Sequence, residues 1–335
     1  MAKADTHISH PVGLDIGTSR IVSAIPAESG YEYRSQLNSF VTLPNSKMRE
    51  AVLRRENIPH TIVGPDILVH GNESERFADL LQMDTRRPMS RGFINPSETE
   101  SLNVMRQIIL SLIGPAKQAG QKAYFSVPAA PIGATENLTY HEATLNQILS
   151  DIGYTAKSVN EGLAVVFGEL ESSNYTGIGI SIGGGLCNVC LSYLAVPVAS
   201  FSVTKAGDFV DSSTASVTGE LANRIRLAKE DGFALNAANT DKIHQVLAVY
   251  YEDLIHSLVT SLKNAFGDPR SLPKLGRAIP LVLSGGSVMP RGFRDKFEAA
   301  LKAVELPLPI SEIRLADNPL HTTAKGALIA ALSEM

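Results

Sequence analysis

The chain has 335 residues, long enough for two domains with separate cores. Its 30 basic and 34 acidic residues give a net charge of −4, which leaves no electrostatic footprint for nucleic acid. With 44% hydrophobic and 19% charged residues the chain is not a disordered one, no apolar run reaches the ~20 residues of a membrane helix, and two cysteines cannot build a disulfide framework.

Residues 1–10 are polar and lack the apolar core of a signal peptide or a membrane-lying helix, so a cytoplasmic location is expected. The first strong signal is Val12, Gly13, Leu14, Asp15, Ile16, Gly17, Thr18, where apolar residues alternate as in a strand with one face buried. Residues 21–25 continue this hairpin. The mixed stretch 31–88 reads as an inserted, partly exposed subdomain; the Arg86, Arg87, Pro88 and Arg91 cluster at its end reads first as a solvated loop, with a place near a cleft or a protomer contact as the alternative. Helical spacing over 96–112, entered through Ser97, Glu98, Thr99 and Glu100, predicts a helix. A strand over 123–127 stopped by Pro128 and a helix over 142–152 follow.

Further on, Ile178, Gly179, Ile180, Ser181, Ile182, Gly183, Gly184, Gly185 repeats the first signal, and an internal repeat implies two similar halves. Glycine at such a turn lets backbone N–H groups approach an anion with no β-carbon in the way, so two facing turns would hold a polyphosphate between the halves. Cys187 and Cys190, three apart on the next strand, point to opposite faces and do not read as a redox or metal pair. The spacing predicts a helix over 216–229, a loop over 231–240 and an amphipathic helix over 241–266. The stripe Ile243, Val246, Leu247, Tyr250, Leu254, Leu258, Leu262 of that helix faces the core. A strand over 279–283 runs into a third glycine turn, Ser284, Gly285, Gly286, Ser287. A helix over 293–303, a proline-rich connection over 304–319 and a helix over 322–332 close the chain. Strands alternating with helices indicate an α/β fold with ligands at strand ends.

This order of signals resembles the actin and sugar-kinase superfamily, and within it the bacterial actin homologues MreB and the magnetosome filament protein MamK. The turns at 12–18 and 179–185 are similar to the family's two phosphate hairpins. Ser126, Val127, Pro128 with Gly133, Ala134, Thr135 resembles an MreB motif, and Asn160 to Ala164 its first connecting helix. The run from Lys205 to Asp211 is similar to that of MamK. Ser284 to Ser287 resembles the adenosine motif, and Asn318, Pro319, Leu320 with 324–328 the second connection.

The resemblance implies two actin-like, ribonuclease-H-like halves around a nucleotide cleft: 1–155 with an insertion at about 31–88, 156–314, and a segment 315–335 that returns to the first half. It implies ATP and Mg²⁺ as cofactors. Asp15 would hold the metal through water, and Glu161 would orient the attacking water. Gly17, Thr18, Ser19, Ser181, Gly183, Gly184, Gly185, Gly207 and Asp208 would lie on the phosphates. Arg226, Lys229, Glu230, Gly285, Gly286 and Ser287 would meet the ribose and base.

Each of these residues has a plainer reading beside it. Asp15 can cap its own turn, Glu161 can be a helix-dipole partner, Asp208 an N-cap, and Lys229 and Glu230 solvated surface.

Two departures matter. Ser181 stands where relatives carry a second aspartate, and Leu186 where a threonine follows the glycines, so a slow ATPase is the expected enzyme activity. Only about ten residues separate Lys229 from the helix at 241, which implies that the outer part of the second half, about 208–245, is reduced. The implied function is a cytoskeletal protein that assembles with itself into nucleotide-dependent filaments. The alternative is a nucleotide-binding adaptor of the FtsA or PilM type that does not polymerise alone, and a sugar or acetate kinase ranks third. Adaptor or membrane-associated proteins are the expected further partners.

Overall fold

The computed structural model describes residues 10–133, 138–238, 240–267 and 277–334. Its ordering principle is a repeated sheet. In the first half, β1 (Val12–Ile16), β2 (Arg20–Pro26) and β3 (Tyr31–Leu37) form an antiparallel meander. After β3 the chain leaves the sheet through β4 (Phe40–Pro44), α1 (Lys47–Arg55), β5 (His60–Val63), β6 (Asp66–His70) and α2 (Asn72–Leu81). Of these, β4, β6 and β5 make a small separate sheet. The inserted unit therefore begins after β3, later than residue 31, because 31–37 pairs with β2.

A short hairpin, β7 (Met89–Ser90) and β8 (Phe93–Ile94), leads to α3 (Ser101–Ile113), β9 (Lys122–Val127), α4 (Leu138–Asp151) and β10 (Thr155–Asn160). The sheet order is β10-β9-β1-β2-β3, with β9 and β10 parallel to β1. α3 starts at Ser101, after a turn at 97–100 in which Ser101 Oγ donates to Glu98 O at 2.7 Å. The Ser97–Glu100 cap signal is thus realised as a turn before the helix.

The second half opens with α5 (Glu161–Glu169), then β11 (Gly177–Ile182), β12 (Cys187–Tyr193) and β13 (Val196–Val203). α6 (Gly207–Thr218), α7 (Ala222–Glu230), α8 (Lys242–Phe266), β14 (Ile279–Ser284), α9 (Phe293–Lys302), β15 (Ile310–Leu315) and α10 (Thr322–Ser333) follow. The order β13-β12-β11-β14-β15 copies the first sheet strand for strand. Gly17 N–H donates to Arg20 O, and Gly183 N–H to Leu186 O, each at 3.0 Å, so the two glycine turns share one geometry.

Two expectations are corrected here. The helix expected over 216–229 is two helices broken at Gly219, whose φ of +81° only glycine adopts without strain. The connection over 304–319 contains the edge strand β15. Ala134 and Thr135, and residues 1–9, lie outside the described residues. Between β13 and α8 the described chain forms two helices and no strand.

Each half has its own apolar core. In the second it is built on α8, where Leu247, Leu254, Leu258 and Leu262 are buried while Ile243 and Tyr250 pack at its margin. The halves are joined where α5 crosses α10. Small residues permit the approach: a β-carbon on Gly326 would lie 1.8 Å from Ala164 O. No helix among the described residues is long and apolar enough to cross a membrane.

Candidate functional site

The two glycine turns face each other across a cavity of about 470 Å³. Every cleft residue singled out from the sequence lines it: Asp15, Gly17, Thr18, Ser19, Glu161, Ser181, Gly183 to Gly185, Gly207, Asp208, Arg226, Lys229, Glu230, Gly285, Gly286 and Ser287. The approach of the turns is close. A β-carbon on Gly184 would lie 2.2 Å from Ser19 Oγ and 3.0 Å from Asp208 Oδ1; one on Gly185 would lie 2.4 Å from Thr18 Oγ1.

Within each turn the leading glycine N–H is used internally, as described. Among the described residues, none accepts from the N–H groups of Thr18, Ser19, Gly184 or Gly185. Unpaired backbone donors at facing turns are what an anion requires. The start of α6 is different, because Gly207 N–H donates to Gly183 O at 3.0 Å and Asp208 N–H to Gly184 O at 2.8 Å. Those groups brace the second turn. Thr18 Oγ1 accepts from Gly92 N–H at 3.0 Å, and Ser287 Oγ donates to Gly183 O at 2.9 Å.

Two carboxyls lie beside the turns. Asp15 Oδ1 accepts from Ser126 Oγ at 2.8 Å, and Ser126 Oγ in turn accepts from Ile16 N–H at 3.1 Å. Burial raises the Asp15 carboxyl above the usual carboxylate range, the Ser126 bond opposing it. Glu161 is raised further, by burial first and then by the charge of Asp15, against hydrogen bonds from Asn188 and Ser181. Two carboxyls that share a low-dielectric site cannot both ionise easily unless a cation joins them. This donor set fits a hydrated divalent ion. Ser181 supplies a hydroxyl to Glu161 and no charge.

At the other wall the expected ribose and base contacts are heavily paired. Lys229 Nζ sits 2.7 and 2.9 Å from the two oxygens of Asp211, a buried pair, and burial still pushes the Asp211 carboxyl up to about 6. Glu230 meets Arg20 at 3.1 Å and Arg226 at 2.8 Å, and Arg226 also bonds Glu75 of α2. α7 is tied to the inserted unit again by Asn223, whose N–H donates to Asp84 Oδ1 at 3.1 Å, and by Arg224, which donates to Gln82 Oε1 at 2.5 Å. The outer lips of the cleft are therefore closed by polar contacts.

Sequence reasoning assigned no place in the cleft to Asn188, Asp211 or Ser126, and placed Arg87 near a cleft only as the alternative to a solvated loop. Asn188 and Asp211 line the cavity. Arg87 is no solvated loop residue, since its Nη1 lies 2.5 Å from Asp208 Oδ1. Asn188 lies two residues into β12, where period-2 alternation marks it as facing the same way as the turn. The others depend on contacts between distant segments. Cys187 and Cys190 are buried, and burial pushes both thiols up, Cys190 to about 11. No group of three metal-ligating side chains occurs among the described residues.

A model of the Volactin family matches residues 11–331. No curated protein matches the chain by sequence. Among solved structures, the fold is similar to a MamK double helical filament, with a TM-score of 0.71 and 19% identity over 97% of this chain and 98% of that one. It is also similar to MreB 5 of Spiroplasma citri bound to AMPPNP (TM-score 0.68, 13% identity, 96% of both chains). A third likeness is to the ethanolamine utilization protein EutJ from Carboxydothermus hydrogenoformans (TM-score 0.57, 14% identity, 95% of this chain and 89% of that one). These likenesses show an actin-like fold.

Proposed function

The chain belongs to the Volactin family, and from that premise we propose that it is an actin-like protein that binds ATP with magnesium between its halves and assembles with itself into filaments. The observation that carries the reading is the pair of facing turns with free N–H groups at Thr18, Ser19, Gly184 and Gly185. The likeness to a MamK filament and to an AMPPNP-bound MreB supports it.

In this reading the four N–H groups bind the triphosphate, and Gly184 and Gly185 keep the turns close enough for both to reach it. Asp15 would hold magnesium through water, and the ion would neutralise charge on the phosphates. Glu161 orients the attacking water and takes its proton on the carboxylate, held in place by Asn188 and Ser181. With a serine at 181 the site has one fewer carboxylate for the metal shell, so hydrolysis is slow. Nucleotide that touches both turns favours one arrangement of the halves, and α5 carries that preference from Glu161 to the crossing with α10.

The absence of a strand between β13 and α8, among the described residues, favours a second reading, a nucleotide-binding adaptor. Sedimentation and negative-stain microscopy with ATP, ADP and no nucleotide separate the two. Filaments that depend on ATP support the first reading. No filaments in any condition, with nucleotide still bound, support the second.

A further inference from the structure

We infer that Arg87 is a phosphate-binding residue of the cleft, held ready by Asp208 until a polyphosphate takes its place. The inference rests on the nucleotide reading above and deepens it. Arg87 belongs to the first half, yet its Nη1 donates to Asp208 Oδ1 of the second half at 2.5 Å and to Ser19 Oγ of the first turn at 3.4 Å. Both partners line the cavity and both flank Gly184. The guanidinium thus stands where the two turns meet.

Its neighbour provides the contrast. Arg86 is committed to the fold: it holds both oxygens of Glu98 at 2.6 and 2.9 Å, bonds Thr42 and stacks over Phe40. Arg87 has a single Nη1 engaged, and among the described residues nothing accepts from its Nε or Nη2. An arginine held by one nitrogen, with its other donors free, can exchange a carboxylate for the paired oxygens of a phosphate, which match its fork better.

The charge distribution points the same way. The cavity carries the carboxyls of Asp15, Glu161, Asp208, Asp211 and Glu230. Of the cations that line it, Arg20, Arg226 and Lys229 already hold Glu230, Glu75 and Asp211, and Arg291 lies on the segment after the third glycine turn, away from the residues that flank Gly184. A triphosphate beside Gly184 would meet Asp208 directly, so it needs a cation at that point. The groups facing Arg87 are Asp208, Asp211 and Asp84, all acidic. Exchange would also release a bond that ties the two halves together before nucleotide enters.

The test is titration calorimetry of ATP, ADP and inorganic tripolyphosphate into the full chain and its variants. Arg87→Ala should lower affinity for ATP and tripolyphosphate roughly tenfold or more, the value of a charge-assisted contact. Arg87→Lys, which keeps the charge and loses the fork, should fall between and guards against a folding defect in the alanine variant. Asp208→Asn should bind ATP at least as tightly as wild type. The double variant Arg87→Ala with Asp208→Asn decides the role. If it stays weak, Arg87 contacts phosphate; if it recovers wild-type affinity, Arg87 only neutralises Asp208 and the inference is overturned. Wild-type binding with no loss in Arg87→Ala overturns this inference alone, whereas no ATP binding by wild type overturns the nucleotide reading with it.

Discussion

Asn188 Nδ2 donates to Glu161 Oε2 at 2.8 Å, while Asn188 Oδ1 accepts from Ala129 N–H at 2.9 Å. The backbone donor fixes which end of the amide is oxygen, so the NH₂ group must point at Glu161. That bond favours the charged carboxylate against burial and against Asp15. Replacing Asn188 with Leu should lower single-turnover ATP hydrolysis by about tenfold, part of what a positioned base contributes, with ATP affinity little changed. An affinity that collapses along with the rate would assign Asn188 to binding instead.

The raised carboxyls of Asp15 and Glu161 make a prediction about pH. Without a cation the pair retains a proton near neutrality, and metal binding must release it. Magnesium-dependent ATP affinity should therefore strengthen as pH rises from about 6 to about 8, through the interval above ordinary carboxylate values. Asp15→Ala should remove most of the magnesium dependence. Calorimetry with and without magnesium at both pH values reads this out, and a pH-independent magnesium effect would remove Asp15 from the ion's shell.

Stability gives the same pair a second, independent readout. A carboxyl whose folded pKa is raised binds more protons folded than unfolded. Its folded state therefore loses stability as pH climbs from the unfolded pKa through the folded one, and the full cost remains above that. Glu161→Gln removes the cost. The nucleotide-free variant should melt a few degrees higher than wild type at pH about 8, and the difference should shrink toward pH about 5. A variant that melts lower at the alkaline end would mean that Glu161 is stabilised by contacts rather than strained by burial.

Much of this cleft was legible in the sequence because glycine punctuation survives as a local signal. The turns at Gly17 and Gly183 could be read from alternation and spacing, and the duplicated sheet order follows from them. What could not be read was tertiary. Arg87 reaches Asp208 across 121 positions, and Lys229 reaches Asp211 only because α6 and α7 fold back on each other at Gly219. A glycine in the middle of the helical stretch 216–229 was the available sign of that break. β15 escaped notice because an edge strand with none of its residues fully buried shows little alternation, and prolines surround it.

Ser181→Asp should act in two opposite ways. It places a third carboxyl beside Asp15 and Glu161, so the metal-free protein should lose stability, by about 1 kcal/mol or more. With magnesium it should raise the rate of phosphate release. Thermal melts and single-turnover release on one preparation give both numbers, and a flat rate with intact binding would show that Ser181 is not what slows hydrolysis.

At the crossing of the connecting helices, Gly326→Ala would drive a β-carbon to 1.8 Å from Ala164 O, a backbone atom that cannot turn aside. The helices must separate, at a cost of about 1–3 kcal/mol or more. Denaturant unfolding should show that loss, and ATP should recover less of it than in wild type if the crossing couples the cleft to the arrangement of the halves. Full recovery by ATP would uncouple the two.

The most direct measurement titrates magnesium and ATP into the wild-type protein and into Gly184→Val. The account predicts a single saturable site in wild type and no detectable binding in the variant, because the branched side chain would fill the space between Ser19 Oγ and Asp208 Oδ1 at the point where both turns approach the ligand. Equal binding by a folded variant, or no binding by wild type, would contradict the claim that the facing turns form a nucleotide site.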